Sequence, residues 1–332
     1  MDTRSNRRAF IAATGAIGTK ALAGCLGSDG DGVIGIGTSE GGANQETTNA
    51  LQRGLNEYGE VAQISALETP GSAANLRLFD EGESDGGVSS VMDYRAAQNE
   101  EGEFAEDTLD NLPQQVFNQI EIVMNFWTRE ETDIDSVSDI AEQDAVVWAG
   151  NPGTGIRNTT SAAWESLGFW NDWEVSDLDI GDAPGALEEG RIDVTLGYAA
   201  NGSPPPFFDE MMSRVELRHV EMDVEVDEYQ DADGVAYIEQ TEIPDEDGDL
   251  GDNENQIEDA WVQANHLFLG EHVDEQAVYE ICEISHENND FIREASDSYP
   301  DHTDIGRMTN NFMDDVPIHP GAEEFYQENG LM

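Results

Sequence analysis

Three glycine-rich turns are the parts of this sequence whose residue types suit ligand chemistry. They span residues 38–42, 70–75 and 150–157, and each joins a predicted strand to a predicted helix. Such turns present free backbone N–H groups at the positive end of a helix, where an anion binds readily. The sequence therefore predicts that these turns hold a negatively charged ligand.

Phosphate is the first anion to consider, and the spacing argues against it. No turn has the GxxxxGK[ST] or the GxGxxG spacing, and Lys20 is the only lysine of the chain. A nucleotide site is therefore disfavoured. Arg157, in the third turn, could pair with a ligand carboxylate in a bidentate fork. The alternative is an ion pair between Arg157 and one of the many acidic side chains.

Patterns for catalysis and metal binding are weak. The six histidines are scattered, and neither HExxH nor GxSxG occurs. Asp245, Asp247 and Asp249 suggest a calcium loop, but Leu250 and Gln256 stand where that loop needs glycine and glutamate. We therefore expect a protein that is not an enzyme and that has no metal site and no cofactor.

The elements that position these turns are short apolar runs alternating with helix-compatible stretches. This alternation predicts an α/β fold with parallel strands. The runs 119–127 and 261–269 read as strands that could cross between two lobes. The stretch 273–295 predicts one long helix.

An internal echo supports two lobes of βα type. Residues 79–85 (FDEGESD) recur as residues 187–193 (LEEGRID), each before an apolar strand. In both copies the glycine suits the left-handed conformation that ends a helix, at Gly82 and Gly190. Each copy follows its own glycine-rich turn and helix.

The net charge indicates the environment. The chain has 14 basic and 72 acidic residues, a net charge of −58, while 38 % hydrophobic residues supply a core. Without residues 1–24 it has ten arginines, no lysine and a net charge of −61. Such a chain repels itself at low salt, whereas molar salt screens the repulsion within about 3 Å. This predicts a halophilic protein and disfavours nucleic acid as a partner.

The first residues read as an export address. Arg7 and Arg8 precede a weakly apolar run, which is similar to a twin-arginine (Tat-type) signal. Leu22–Cys25 (LAGC) resembles a lipobox. We expect a signal peptide over 1–24, lipid attachment at Cys25 and a tether over 25–32, which would anchor the protein to the outer face of the cell membrane. A Tat signal with a coincidental cysteine is the alternative.

Several motifs resemble the TAXI family of TRAP-transporter solute receptors, from a haloarchaeon. The most specific is Val316–Tyr326 (VPIHPGAEEFY), which is similar to the family's PxHPGA ending. Pro70–Leu76, Pro152–Gly155, Ser138–Ile140 and Gly202–Pro204 resemble further family turns. The first loop lacks the usual GTYY run, so the resemblance does not fix the ligand.

This resemblance implies a two-lobed, periplasmic-binding-protein-like fold of type II, a Venus flytrap with a ligand in the cleft. Each lobe would be a mainly parallel sheet flanked by helices. We expect lobe 1 to comprise 33–123 and 258–332, and lobe 2 to comprise 124–257.

The resemblance also implies a role. The protein would capture a small organic acid, glutamate-like or a dicarboxylate, and deliver it as a monomer to the TRAP membrane permease subunits. The expected ligand-binding residues come from the turns and the strand ends: Thr38, Ser39, Gly41, Gly42, Ser72, Asn75, Ser89, Ser90, Asn151, Thr154, Gly155, Arg157, Asn201 and Gly202. A membrane-tethered sensor or scavenging binding protein without a transporter is the alternative, and an exported hydrolase is a third reading.

Overall fold

One twisted sheet runs through the molecule. The computed structural model describes residues 32–39, 43–152, 154–224, 238–239 and 260–332. Within these residues the strand order is β2-β1-β3-β10-β4-β7-β5-β6, with β8 beside β4 and β9 beside β10. The strands are β1 Val33–Ser39, β2 Gln63–Thr69, β3 Gly86–Ser90, β4 Gln114–Arg129, β5 Val146–Trp148, β6 Glu174–Ser176, β7 Val194–Ala200, β8 Leu217–His219, β9 Ile238–Glu239 and β10 Ala260–Leu269.

Helices flank the sheet. Several of them connect parallel strands, as right-handed βαβ units require. The α-helices of the described residues are α1 Ala43–Tyr58, α2 Ser72–Asp80, α3 Val91–Gln98, α4 Val137–Glu142, α5 Gly155–Ser166, α6 Ala183–Glu188, α7 Pro206–Arg214, α8 Glu275–Glu287, α9 Asn289–Arg293 and α10 Pro320–Glu328. No helix among the described residues has the length and apolarity needed to cross a membrane.

The strand order repeats around two shared strands. Lobe 1 reads β2-β1-β3-β10-β4 and lobe 2 reads β6-β5-β7-β4-β10. The strands β1, β2 and β3 are mutually parallel, as are β5, β6 and β7, whereas β4 and β10 are antiparallel partners. This is the α/β architecture of a type II periplasmic binding protein, as expected. The expected lobe boundary at 123/124 lies inside β4.

The internal echo is confirmed in atomic detail. Gly82 and Gly190 both take positive φ, at 71° and 69°. Asp85 then donates its N–H to the Gly35 carbonyl at 2.9 Å and accepts the Gly35 N–H on Oδ2 at 2.7 Å. Asp193 bonds with Val146 in the same way, at 2.8 and 3.0 Å. Each aspartate therefore fixes the third strand of its lobe against the first.

Each lobe has its own apolar core. In lobe 2, Phe126 packs against Trp164 and Trp261, with ring centroids 5.6 and 4.9 Å apart. In lobe 1, α1 packs against α8 and α9, and apolar residues of β1, α1, α8 and α10 belong to one buried cluster. Aromatic rings are therefore a large part of the lobe 2 core.

The C-terminal segment closes the edge of lobe 1. His319 caps α10 by accepting the Gly321 N–H, and the Tyr326 hydroxyl donates to the Val116 carbonyl at 2.6 Å. The prediction of one helix over 273–295 is wrong. Asn288 leaves the helical conformation, with φ −111° and ψ 22°, so it ends α8 and precedes the first residue of α9. The Asn289 amide, which donates to the carbonyls of Ser285 and Pro300, stabilises this break.

Candidate functional site

The carboxyl ends of the parallel strands of lobe 1 and of lobe 2 meet at the middle of β4. Because β10 is antiparallel to both β3 and β4, strands β3 and β4 run the same way in lobe 1, whereas β7 is antiparallel to β4 in lobe 2. Ser90, at the end of β3, pairs with Asn265 on β10, and Asn265 pairs with Ile120 on β4. Ala200, at the end of β7, pairs with Ile122. Ligands of open α/β sheets bind at the carboxyl ends of strands, so this junction is the candidate site.

Serines from two helix starts form the lobe 1 side of the junction. The Ser72 Oγ accepts the Ser90 N–H at 2.6 Å, and the Ser89 hydroxyl donates to the Ser72 carbonyl at 3.0 Å. The Ser90 Oγ caps α3 by accepting the Asp93 N–H at 3.0 Å, and its hydroxyl donates to the Asp93 carboxylate at 2.7 Å. The structure thus brings three of the expected residues together.

Asn75 lies behind this side of the site. Its side chain is 1 % exposed; its Nδ2 donates to the Val88 carbonyl at 2.7 Å and its Oδ1 accepts the Thr69 hydroxyl. A Cβ at Gly37 or Gly87 would lie 2.7 or 2.8 Å from Asn75 atoms, so glycine is needed at both strand positions. Asn75 therefore holds the strand ends in place.

The end of β1 contributes two hydroxyl groups. Thr38 is fully buried, and its hydroxyl has no hydrogen-bond partner among the described residues. Ser39 is half-buried, and its Oγ lies 3.5 Å from the Asn44 Nδ2. Gly41 and Gly42 lie outside the described residues.

The lobe 2 side of the junction is the start of α5. Thr154 caps this helix: its Oγ1 accepts the Arg157 N–H at 3.3 Å, and its hydroxyl donates to the Asn151 carbonyl at 2.8 Å. Gly155 opens the helix. The Asn151 Oδ1 is buried and has no partner within the described part of the chain.

Arg157 makes its contacts within lobe 2. Its guanidinium donates to the Gly150 carbonyl at 3.0 Å and to Asp177 at 3.1 Å, and lies 5.0 Å from the centroid of the Trp170 ring. Burial lowers the pKa of Arg157, and the Asp177 carboxylate opposes that shift. Of the two alternatives for Arg157, the structure displays the ion pair, which holds the turn before Asn151. The ligand contact stays a prediction.

Asn201 joins lobe 2 to the crossing strand and to lobe 1. Its Oδ1 accepts the Glu121 N–H at 2.8 Å, and its Nδ2 donates to the Gln119 carbonyl at 3.2 Å and to the Ser298 carbonyl at 2.7 Å. Its φ is +48°, and Gly202 follows at +86°. Both amide hydrogens of Asn201 are therefore bonded to backbone carbonyls, one on β4 and one at Ser298.

The helix ends at the site differ in charge. Glu46 and Asp93 lie in the first turns of α1 and α3, whereas α2 and α5 have no acidic residue there. An acid in the first turn neutralises the positive end of a helix. The ends of α2, in lobe 1, and α5, in lobe 2, therefore keep their attraction for an anion.

Two buried polar residues of the crossing strand β10 are not among the expected ligand-binding residues. Gln263 and Asn265 are 9 % and 1 % exposed and lie where β10 passes between the lobes. The sequence contains a signal for them, because a strand buried on both faces should be apolar throughout, and these two side chains interrupt the run 260–269 together with His266. Buried polar side chains of this kind need a structural or functional explanation.

His302 lies in a structural setting. His302 is fully buried: its Nε2 lies 2.9 Å from the Asn118 carbonyl and its Nδ1 lies 2.6 Å from the Ser285 Oγ. Burial lowers the pKa of His302 to about 4. Among the residues that the structure describes, no group of three or more His, Cys, Asp or Glu side chains could hold a metal ion.

Comparisons with known proteins give a family and a set of structures of similar fold. The model of the NMT1-like family matches residues 47–330. No curated protein sequence matches the chain.

Among solved structures, a TctC solute-binding protein from Polaromonas is 11 % identical with a TM-score of 0.48, over 81 % of this chain and 89 % of that one. The lactococcal OpuAC complex with glycine betaine is 14 % identical, with a TM-score of 0.45 over 90 % and 96 %. The aliphatic sulphonate-binding protein SsuA from Escherichia coli is 14 % identical, with a TM-score of 0.42 over 80 % and 79 %.

The family match covers well over half of the chain. The chain therefore belongs to the NMT1-like family, and its fold is the two-lobed α/β fold described above.

Proposed function

We propose that this protein is the extracytoplasmic receptor of a TRAP-type secondary transporter, of the TAXI kind, and that it captures a small organic acid between its lobes. One observation carries the proposal: the carboxyl ends of both sets of parallel strands meet at Ile120–Ile122 of β4. That junction brings serine, threonine and asparagine side chains from both lobes to one place. The ligand is a glutamate-like compound or a dicarboxylate.

The charge of the site supports an acid as ligand. The helix ends of α2 and α5 are free of first-turn acids and lie on opposite lobes. An acid with two polar ends would meet one helix end from each lobe, and closure of the lobes would bring both into contact. The net charge of −58 does not prevent this, because high salt screens the long-range field.

The candidate residues divide into contacts and supports. Ser72 and Thr154 stand at the two helix starts. Their hydroxyls bond Ser90 and Asn151, and the backbone N–H groups of their first turns are the proposed contacts. Asn75, Arg157 and Asn201 use their side-chain groups within the protein, and they act as positioning residues.

Delivery to the membrane follows from the proposed location. A lipid on Cys25, which lies outside the described residues, would keep the receptor beside its permease. The strands β4 and β10 would serve as the hinge of closure. A receptor without a permease would bind its ligand equally well, so the presence of permease genes beside this one separates the sensor alternative from transport.

Ligand-induced stabilisation tests the proposal. The domain without residues 1–25, in 2 M KCl, is melted with L-glutamate, succinate, other amino acids and monocarboxylates. A ligand at 100 times its Kd adds about 2.7 kcal/mol to the free energy of unfolding. We expect one carboxylate class to raise the Tm.

A pair of serine variants gives the control. Ser72→Ala should lose the response, whereas Ser213→Ala should keep it, because the Ser213 hydroxyl bonds only to the Glu210 carbonyl near the end of α7. The absence of any shift with the whole panel would refute an organic acid as the ligand.

A further inference from the structure

Three side chains form a polar relay that passes under the junction of the lobes. The Thr159 hydroxyl, on α5, donates to the Gln263 Oε1 at 2.9 Å. The Gln263 Nε2 donates to the Asn265 Oδ1 at 3.3 Å. All three residues are at most 9 % exposed. The relay thus links a helix of lobe 2 to the central strand of lobe 1.

The relay leaves one donor without an acceptor. The Asn265 Nδ2 is buried, and no group among the described residues accepts its hydrogens. A buried donor without a partner is destabilising, and native structures contain few of them. Neither Asn75 nor Asn201 has this property, since both use their Nδ2 groups within the protein.

The free donor lies between the two sides of the site. Asn265 stands directly opposite Ser90 on the antiparallel partner strand, so their side chains project to the same face about 5 Å apart. The Gln263 amide lies 3.8 Å from the Cβ position of Gly155, in the first turn of α5. The relay therefore lies between the start of α3, beside Asn265, and the start of α5, beside Gln263.

We propose that Asn265 is a ligand-binding residue whose Nδ2 donates to a carboxylate oxygen of the bound solute, and that Gln263 and Thr159 hold it in that polarity. The inference rests on the proposed function and adds a specificity element to it. A carboxylate is the matching group because it accepts hydrogen bonds and donates none. An ammonium group at this position would face the two N–H hydrogens of Asn265 Nδ2, which are also donors, so this position excludes it.

The polarity of the relay provides a specific test. Gln263→Glu keeps the shape of the side chain and keeps an acceptor for Thr159, but it removes the donor toward Asn265. The Asn265 amide then turns its Nδ2 toward Glu at position 263 and presents its Oδ1 to the cleft. Because the Glu side chain also adds a negative charge that repels an anion, the uncharged variant Asn265→Ala decides between a ligand contact and a role in packing alone.

The experiment is calorimetric titration of succinate and L-glutamate in 2 M KCl. Asn265→Ala is expected to raise the Kd by about ten- to a hundredfold, the range for a hydrogen bond to a charged group. Gln263→Glu should raise it by at least as much, and Thr159→Val should raise it by less. Asn289→Ala is the matched control, since it removes a buried amide that bonds only to Ser285 and Pro300, so it should lower the Tm and leave the Kd unchanged.

The outcomes separate the two proposals. If the wild-type protein binds neither succinate, L-glutamate nor any other carboxylate of the panel, the proposed function fails and this inference with it. If the wild-type protein binds but Asn265→Ala and Gln263→Glu stay within twofold of its Kd, this inference alone is overturned. Circular dichroism and the Tm of each variant establish that it is folded before its Kd is compared.

Discussion

Removing the side chain of Asn201 should lower the free energy of unfolding by an amount that the structure allows us to work out. Its amide makes three hydrogen bonds, to Glu121, Gln119 and Ser298, of which the last reaches lobe 1. Its backbone has a φ of +48°, which asparagine tolerates better than most residues. The bond from the Asn201 N–H to the Glu121 carbonyl belongs to the backbone and survives substitution.

The magnitude follows from these contacts. Each hydrogen bond contributes about 1 kcal/mol, so Asn201→Gly, which also accepts the positive φ, should cost about 3 kcal/mol. Asn201→Ala loses the same bonds and adds about 1 kcal/mol for alanine in the left-handed region. The free energy of unfolding should therefore fall in the order wild type, Asn201→Gly, Asn201→Ala. This order tests the reasoning as well as the size of each loss does.

Urea unfolding in 2 M KCl measures both variants. Asn329→Ala is the control, because the exposed Asn329 side chain makes one hydrogen bond at the end of α10 and should matter by less than about 1 kcal/mol. The reasoning is refuted if Asn201→Gly lies within 1 kcal/mol of the wild type, or if the alanine variant is the more stable of the two.

Further predictions concern the echo, the pH limit, the salt requirement and the anchor. Asp85→Ala and Asp193→Ala should each lower the free energy of unfolding by about 1.5–3 kcal/mol, because each removes a charge-assisted hydrogen bond to a strand N–H. Asp85 also contacts His272 and Asp193 also contacts Arg129, so the two losses need not be equal, but a loss below about 1 kcal/mol in urea for either variant would contradict the prediction. Burial lowers the pKa values of His302 and His219 to about 4, so the stability that these neutral histidines contribute is complete above about pH 6.5 and declines as the pH falls toward 4; His302→Gln should make this decline in Tm shallower without abolishing it. The domain should unfold more readily at about 0.1 M than at about 2 M KCl, and an unchanged Tm would argue against halophilic adaptation. Cys25→Ser should release the protein into the medium, which fractionation of cells would show.

The sequence was most informative where local chemistry decides the structure. Residues 79–85 and 187–193 predicted a glycine helix end and an aspartate before a strand, and the paired bonds of Asp85 and Asp193 confirm that prediction. The return strand over 261–269 was also correct. These features depend on backbone conformation and alternation, which neighbouring residues determine.

Long-range contacts limited the prediction of the site. Arg157 pairs with Asp177 and Asn201 reaches Ser298, partners that are distant in the chain and that no local pattern reveals. Gln263 and Asn265 were passed over because a mostly apolar strand reads as core. Only the strand register, which places Asn265 beside Ser90, shows that these polar side chains lie at the candidate site.

The shared strands also determine the order in which the protein can be assembled during synthesis. The strand β10 lies between β3 and β4 in lobe 1, yet it is the last strand of the sheet to leave the ribosome. Until residue 269 emerges, β3 and β4 each keep an unpaired edge, whereas β4, β5, β6 and β7 of lobe 2 can already pair. The strands β4–β7 of lobe 2 are thus free to pair first, although Trp261 joins their core only with β10. The open edges of β3 and β4 make the nascent chain prone to aggregation until that strand arrives.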